Sequence, residues 1–432
     1  MKKVLYFYEA GHYPNPSKSG ADRIFFVNAQ GLKKAGYETV HIEIGNSIES
    51  SSGKQHKFIL VPEVKNQITD SWLGQQYRRW LYPVLHPGQN NYSDFLACGT
   101  VKLWTELIDE YEPELLFFEN IRSFLVFAKF KSDVPKIVCI HDLDYVLNYG
   151  KNRLRIGISK SGSMIKLFRY IQIKLQNTAE RLYTHKLLKR ASLLYVIGQN
   201  DYKRLMKINH RIRYIKCPVT IAPNERQLDR IRQRLSEPIS DPVRVLHVGK
   251  MNASHNRKGL VWFLSECWPI LRDKKLSEEF EIHFIGSTAG FSEELEKFQN
   301  DPQLHFRGFV DNLEEELIAA SFMIVPPGFP TGVRTKLPEA LAWGLPVITG
   351  KDDANGAGLD KEDPRILIAD SAYSFAGHIS KLITDLKMRN SMSHQALATW
   401  QEDFDAETAY DHVSDMVSHV HSPIPHRLFE PL

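Results

Sequence analysis

Cysteine is scarce in this sequence. The 432 residues hold four, Cys98, Cys139, Cys217 and Cys267, far apart and with neither a CxxC pair nor zinc spacing. That excludes a disulfide scaffold and a cysteine-built metal centre, and the thiols read as reduced and structural. No stretch approaches the roughly 18 uninterrupted apolar residues of a membrane span. The opening MKKVLYFYEAGHYP is broken too soon for a signal peptide, so a cytoplasmic address is expected. Gly (25) and Pro (22) are too few for a collagen-like or low-complexity chain. What remains, 43 % hydrophobic and 25 % charged residues, is the mixture of a globular protein, and the length predicts two domains.

The formal net charge of +4 conceals a division. Residues 1–230 carry 35 Lys+Arg against 21 Asp+Glu, and residues 231–432 carry 20 against 30. Between Lys151 and Lys216, 17 cations face two acids, Glu180 and Asp201. A field of that sign points to an anionic partner. The segment MIKLFRYIQIKLQNTAERLYTHKLLKRA, 164–191, interleaves apolar and basic side chains. It reads either as a helix seated on an anionic membrane surface or as an amphipathic helix packed on the core. Nucleic acid is not expected, because no helix-turn-helix, RRM or zinc signature accompanies the charge.

Strand-like runs alternate with helical patterns from the start, which predicts parallel α/β layers. KVLYFY, a helix over 20–36 and TVHIEI form a βαβ opening, with further strands at 58, 115, 136 and 192. The polar text from Glu225 to Asp241 ends in two prolines and is expected to join the domains. A second series follows: VRVLHVG, EIHFIG, LHFRGFV, FMIVPPG and LPVITG, with helices expected after Lys258, from Ser292, near Leu313 and from Thr335. The expected boundaries are 1–224, a linker 225–241, a second domain 242–402, and a terminal helical segment 403–432 returning to the first domain.

Ligands of parallel sheets collect at the carboxyl ends of strands. Those ends display Glu9, Glu119, His141 and Asp142 in the first half, and Gly249–Lys250, Gly286–Ser287, Pro326–Gly328 and Thr349–Gly350 in the second. Arg334 and Lys336, beside a helix start, read either as a cradle for a diphosphate, with Glu339 one turn in and within reach of ribose hydroxyls, or as a solvated basic pair and an exposed glutamate on a capped helix. Glu9 and Glu119 read either as acidic caps or as carboxylates that orient or deprotonate an acceptor hydroxyl.

PPGFPTGVRTKLPEALAWGLPVITG, residues 326–350, resembles the donor-binding signature of group 1 glycosyltransferases (family 4-like), written E-G-F-G-x-P-x-x-E-A-M-A-x-G-x-P-V. Glu339, Ala340, Ala342, Gly344, Pro346 and Val347 fall into register. VGKMNASHNRKG at 248–259, HFIG at 283–286, HFRGFVDN at 305–312, the Gly20 loop, CIHD at 139–142 and IAPN at 221–224 extend the resemblance over nearly the whole chain. The first glutamate of the family's E-x(7)-E pair is replaced by Thr331. The resemblance implies a GT-B fold, two Rossmann-like domains facing a central cleft. It also implies sugar transfer, with retention, from a nucleotide-diphosphate sugar (UDP or GDP) to a glycan or lipid-linked acceptor in surface-glycan synthesis. Catalytic positions would be His141 and Asp142. Donor contacts would come from Gly20, Lys250, Arg257, Lys258, Gly286, Phe309, Val310, Gly332, Arg334, Thr335, Lys336 and Glu339. Neither a resident cofactor nor a metal is expected. Two alternatives stand beside this reading: a catalytically silent partner subunit, motivated by Thr331, and a GT-B sugar-nucleotide epimerase.

Overall fold

The computed structural model describes residues 2–8, 20–45, 56–60, 98–128, 130–158, 162–209, 211–219, 221–236, 242–274, 276, 279–289 and 296–420. Glu9, Gly11, His12, the expected helix start at Ser292 and residues 237–241 lie outside them. Two compact units result: Met1–Ile215 with the segment from Glu407 onward, and Lys216–Ala406.

The first unit is built on a seven-stranded parallel sheet, ordered β3-β2-β1-β4-β5-β6-β7. Its strands are β1 (Lys2–Tyr8), β2 (Tyr37–Gly45), β3 (His56–Leu60), β4 (Leu115–Glu119), β5 (Lys136–Ile140), β6 (Leu193–Val196) and β7 (Ile212–Tyr214). Both β4 and β5 are buried along their whole length, as strands covered on two faces must be, hence the unbroken apolar runs LLFF and IVCI. Aromatic side chains pair across the β1–β4 junction: Phe7 stacks on Phe118 at 4.7 Å and Tyr6 on Phe117 at 4.9 Å. The helix Ala406–Ser418 lies so close to the helix Gly20–Lys34 that a Cβ at Gly31 would come 2.5 Å from that of Val413.

A six-stranded parallel sheet carries the second unit, ordered β10-β9-β8-β11-β12-β13. The strands are β8 (Val243–Val248), β9 (Phe280–Ile285), β10 (Leu304–Gly308), β11 (Phe322–Val325), β12 (Val347–Gly350) and β13 (Ile366–Ala369). Apolar clusters cover both faces, one around Phe263, Phe284 and Phe375, the other around Leu317, Leu341 and Trp343. In both sheets the chain reverses its direction of winding next to the first strand, at β1/β4 and β8/β11. Each junction is a topological switch point, where open α/β sheets leave a crevice at the carboxyl ends.

Two expected boundaries differ. Residues 225–236, read as a connection, form the helix Glu225–Ser236 inside the second unit. Ile231 is fully buried, Arg234 donates to the carbonyl oxygens of Ile318 (2.8 Å) and Ala320, and Asn224 and Gln227 cap its start reciprocally. Its single apolar stripe, Leu228–Ile231–Leu235, suffices to dock it, although most of its side chains are charged. The helix expected after Lys258 starts earlier, at Ser254, which places Arg257 at the end of its first turn and Lys258 at the start of its second.

Candidate active site

At the β8/β11 switch point the backbone must crowd. Gly249 (φ 146°) and Gly286 (φ 134°) follow β8 and β9 in conformations only glycine adopts readily. The helix Ser254–Trp262 presses on the end of β11 at Gly259, where an added Cβ would sit 2.6 Å from the Pro326 carbonyl oxygen. That contact brings the Lys258 side chain over the loop after β11. Its ammonium donates to the Gly328 carbonyl oxygen and lies 4.9 Å from the centre of the Phe329 ring.

Three cations meet there. Lys336, the first residue of the helix Lys336–Ala342, donates from Nζ to Asn256 Oδ1 at 2.9 Å, and Asn256 in turn donates to the Lys250 carbonyl oxygen at 3.0 Å. Arg334 donates to Asp353 Oδ1 (2.8 Å) and to the Phe329 carbonyl oxygen (3.0 Å). Asp353 also accepts from the Gly328 N–H at 3.1 Å, so one buried carboxylate ties the loop to the arginine. The helix is seven residues long, too short for a large dipole, so Lys258, Arg334 and Lys336 supply most of the positive charge.

Burial, helped by the Arg334 charge, pulls the Lys336 ammonium down to about 7, with Asp353 drawing it the other way. Lys258 is lowered too, first by burial. Beneath them His247, bonded through Nδ1 to the Ile324 carbonyl oxygen at 3.1 Å, is pushed down to about 3 by burial and the Lys336 charge, and stays neutral. Burial raises Asp353 against the pull of Arg334. The pocket is thus charge-deficient relative to its cation count, and an anion would restore protons to it.

Of the other expected donor contacts, Glu339 is half-buried on the first turn of its helix, and Thr335 is the cap residue. Gly332 is buried at φ 67°. Phe309, directly after β10, is 82 % exposed, which suits a platform for a planar ring, while Val310 packs into the core. Lys250 and Arg257 are exposed. Gly20 opens its helix, and the loop before it is outside the described residues. Thr331 is 2 % exposed.

The first unit gathers a second set at β1/β4/β5. Glu119, 4 % exposed at the end of β4, accepts from the Tyr6 hydroxyl and from Asn28 Nδ2 (2.9 Å), and its other oxygen meets His141 Nε2. Burial lowers the His141 pKa, yet the charge and hydrogen bond of Glu119, aided by Asp142, outweigh it and the net direction is up. Glu119, Cys139 and His141 offer atoms within 4.8 Å of one another. Both Glu119 oxygens are already engaged by Tyr6, Asn28 and His141, so the group reads as a hydrogen-bonded support for His141. Glu119 is therefore no free base for an acceptor. Sequence reasoning did not single out Asp353, Asn256, Tyr6 or Asn28. For Asp353 a signal existed, an acid three residues past the β12 end; for Asn28, a polar residue in mid-helix, none did.

Residues 242–385 match the family model described as Glycosyl transferases group 1. No curated protein matches the chain. Among solved structures, sucrose-phosphate synthase from Thermosynechococcus elongatus is similar at 13 % identity, covering 97 % of this chain and 99 % of that one, TM-score 0.64. HepE of Anabaena, in complex with UDP and glucose, is similar at 15 % identity, 97 % and 100 % coverage, TM-score 0.61. WaaG, a glycosyltransferase involved in lipopolysaccharide biosynthesis, is similar at 14 % identity, 98 % and 100 % coverage, TM-score 0.56. These likenesses show the GT-B fold.

Proposed function

With residues 242–385 matching the group 1 glycosyl transferases and the whole chain on a GT-B fold, we propose that this protein moves a sugar from a nucleotide-diphosphate sugar to a hydroxyl of a glycan or lipid-linked acceptor. The observation that carries the reading is the gathering of Lys258 and Arg334 on the loop after β11, with Lys336 held beside them by Asn256, at the β8/β11 switch point. In sugar transfer the diphosphate gains charge as the glycosidic bond breaks, and preorganised cations stabilise that charge. These three side chains do so without calling on a metal. Phe309 stacks on the base and Glu339 accepts from the ribose hydroxyls. His141, oriented by Glu119, is the first unit's candidate for a catalytic role. With retention, the acceptor attacks from the face the diphosphate leaves, and the departing phosphate takes the acceptor proton. UDP is the first donor nucleotide to test, since the similar HepE is described in complex with UDP and glucose.

Calorimetry with UDP and GDP, with and without EDTA, tests the donor site; no binding, or strict dependence on a divalent ion, overturns it. A panel of sugar nucleotides assayed by mass spectrometry for slow hydrolysis separates enzyme from silent subunit, and an epimerised sugar nucleotide would reveal the third possibility.

The acceptor side rests on the helix Ser163–Leu188. Only Thr184, Leu187 and Leu188 are buried, so its end is anchored in the core. Met164 (83 % exposed), Phe168 (60 %), Ile171 (48 %), Leu175 (55 %) and Leu182 (60 %) recur at helical spacing on one outward face. The described residues hold no helix long and apolar enough to cross a membrane. An apolar stripe set among Lys166, Arg169, Lys174 and Lys186 suits the interface of an anionic bilayer, where each cation contributes about 1 kcal/mol. Flotation with anionic and neutral vesicles at low and high salt decides this. Salt-sensitive binding lost on changing Lys166, Arg169 and Lys174 to Glu supports it, and indifference to anionic vesicles at low salt refutes it.

A further inference from the structure

On the sheet face opposite the Phe263 cluster, away from the strand ends, a second constellation is built into β9 and β10. Glu281 and His283 are two apart on β9 and share a face. His305 on β10 is the direct register partner of His283. Glu281 Oε2 lies 2.8 Å from His283 Nε2 and 3.6 Å from His305 Nε2, and the two imidazole centres are 4.8 Å apart. The ligand atoms of all three side chains fall within 4.8 Å of one another. A second observation is independent of that proximity: His305 Nε2, one of the ligand atoms, is buried with no hydrogen-bond partner, a cost that buried polar atoms seldom bear unrelieved.

We propose that Glu281, His283 and His305 form a site for a divalent transition ion, with zinc the best fit. Two imidazoles and one carboxylate are a common three-ligand zinc set, leaving a fourth position for water. For bonds of about 2.05 Å, the separations of 2.8 and 3.6 Å correspond to ligand–metal–ligand angles of roughly 86° and 123°, on either side of the tetrahedral value. The competing cation on this face, Arg244, pairs in register with Glu281 but directs its guanidinium to Glu316 at 3.7 Å, which Arg307 also approaches at 3.6 Å. Arg244 therefore acts on Glu281 and His283 through its charge and makes no ion pair with Glu281, whose short contacts are to the two histidines. The ion would staple the edge strand β10 to β9 and steady the strand that leads to Phe309. His283 is 3 % exposed, so the ion enters from the half-exposed side of Glu281 and His305.

The test uses the whole chain after dialysis against a chelator. Zn²⁺ is titrated by calorimetry, with melting temperature followed in parallel and Co²⁺ used as a visible reporter of four-coordinate geometry. The expected result is one site whose affinity falls at least about tenfold in His305→Gln and in Glu281→Gln, with the rise in melting temperature on adding zinc lost in both. His141→Gln, which removes the first unit's cluster, retains the site. Should one variant fold poorly, the other still reads the affinity. Equal zinc affinity in the parent and both variants, loss of the site in His141→Gln, or no zinc uptake by the parent overturns the proposal.

Discussion

Raising the pH from 7 to 9 should weaken nucleoside diphosphate binding steeply, because Lys336 must pick up a proton to meet the phosphate. In the free protein its ammonium is held at about 7, chiefly by burial and then by Arg334. His247 stays neutral throughout, at about 3, and Lys258 is displaced in the same direction as Lys336. A phosphate's second ionisation lies near 6, so the ligand is fully charged across this range. A bound diphosphate stabilises the ammonium and returns its pKa toward the usual value near 10.4. At pH 8 about nine in ten free molecules then carry a neutral Lys336, and affinity is about tenfold below its acid limit. By pH 9 the loss is about a hundredfold, or roughly 1.4 kcal/mol per pH unit.

The sign for folding is the opposite one. A depressed lysine pKa stabilises the fold above the unfolded value near 10.4 and loses that contribution as pH falls toward 7. Calorimetry with UDP in HEPES and Tris at pH 8 should register uptake of about 0.9 proton per nucleotide, from the difference in buffer ionisation enthalpy. Lys336→Arg, charged at every pH, should flatten the dependence. Lys336→Met should leave weak binding that no longer varies with this proton. Binding that is constant from pH 7 to 9, with no buffer dependence, would refute the assignment of Lys336 to the diphosphate while leaving the site itself in place.

Two further substitutions probe the supports. Asp353→Asn leaves Arg334 facing the loop without its buried counter-ion; removing one partner of a buried pair costs about 3–5 kcal/mol, seen as a lower urea midpoint. Glu119→Gln removes the anion that holds the His141 pKa up. The raised histidine stabilises the fold below its unfolded value near 6.5 and loses this as pH rises through the folded pKa. The variant should therefore lose the stability increment at pH 5–6, and its activity profile should lose the limb that reports His141; an unchanged pH–stability curve would count against the pair.

The fold was legible because parallel sheets write themselves in uninterrupted apolar runs. LLFF, KIVCI and FMIV leave no other place to be than between two layers. The placement of Lys258, Arg334 and Lys336 at strand ends and helix starts was legible for the related reason that such places announce themselves in glycine and proline. Asp353 and Asn256 were not, since what joins them to Arg334 and Lys336 is proximity in space across 19 and 80 residues of chain. The helix Glu225–Ser236 was misread because one buried isoleucine and an arginine reaching two carbonyls dock it, while the eight other polar residues dominate its composition. Composition also left open whether the helix Ser163–Leu188 packs or projects. Only its accessible stripe distinguishes these, because an apolar face is written identically for a core and for a bilayer.

A site that assists departure of a diphosphate should hold the departing group more strongly than the intact donor. The two differ in charge. The diphosphate of a sugar nucleotide carries about two charges, and the free nucleoside diphosphate gains most of a third at pH 8, since its terminal phosphate ionises near 6. Lys336 can respond to that difference, because its ammonium stands at about 7 before binding. The more negative ligand should raise its pKa further. Proton uptake should therefore persist to higher pH with UDP than with the corresponding UDP-sugar, and the affinity ratio favouring UDP should widen above pH 8. Parallel titrations of both ligands from pH 7 to 10 read the alkaline break for each. Coincident breaks would mean that Lys336 does not sense the charge released on bond cleavage, and the stabilisation of the leaving group would have to come from Lys258 and Arg334 alone.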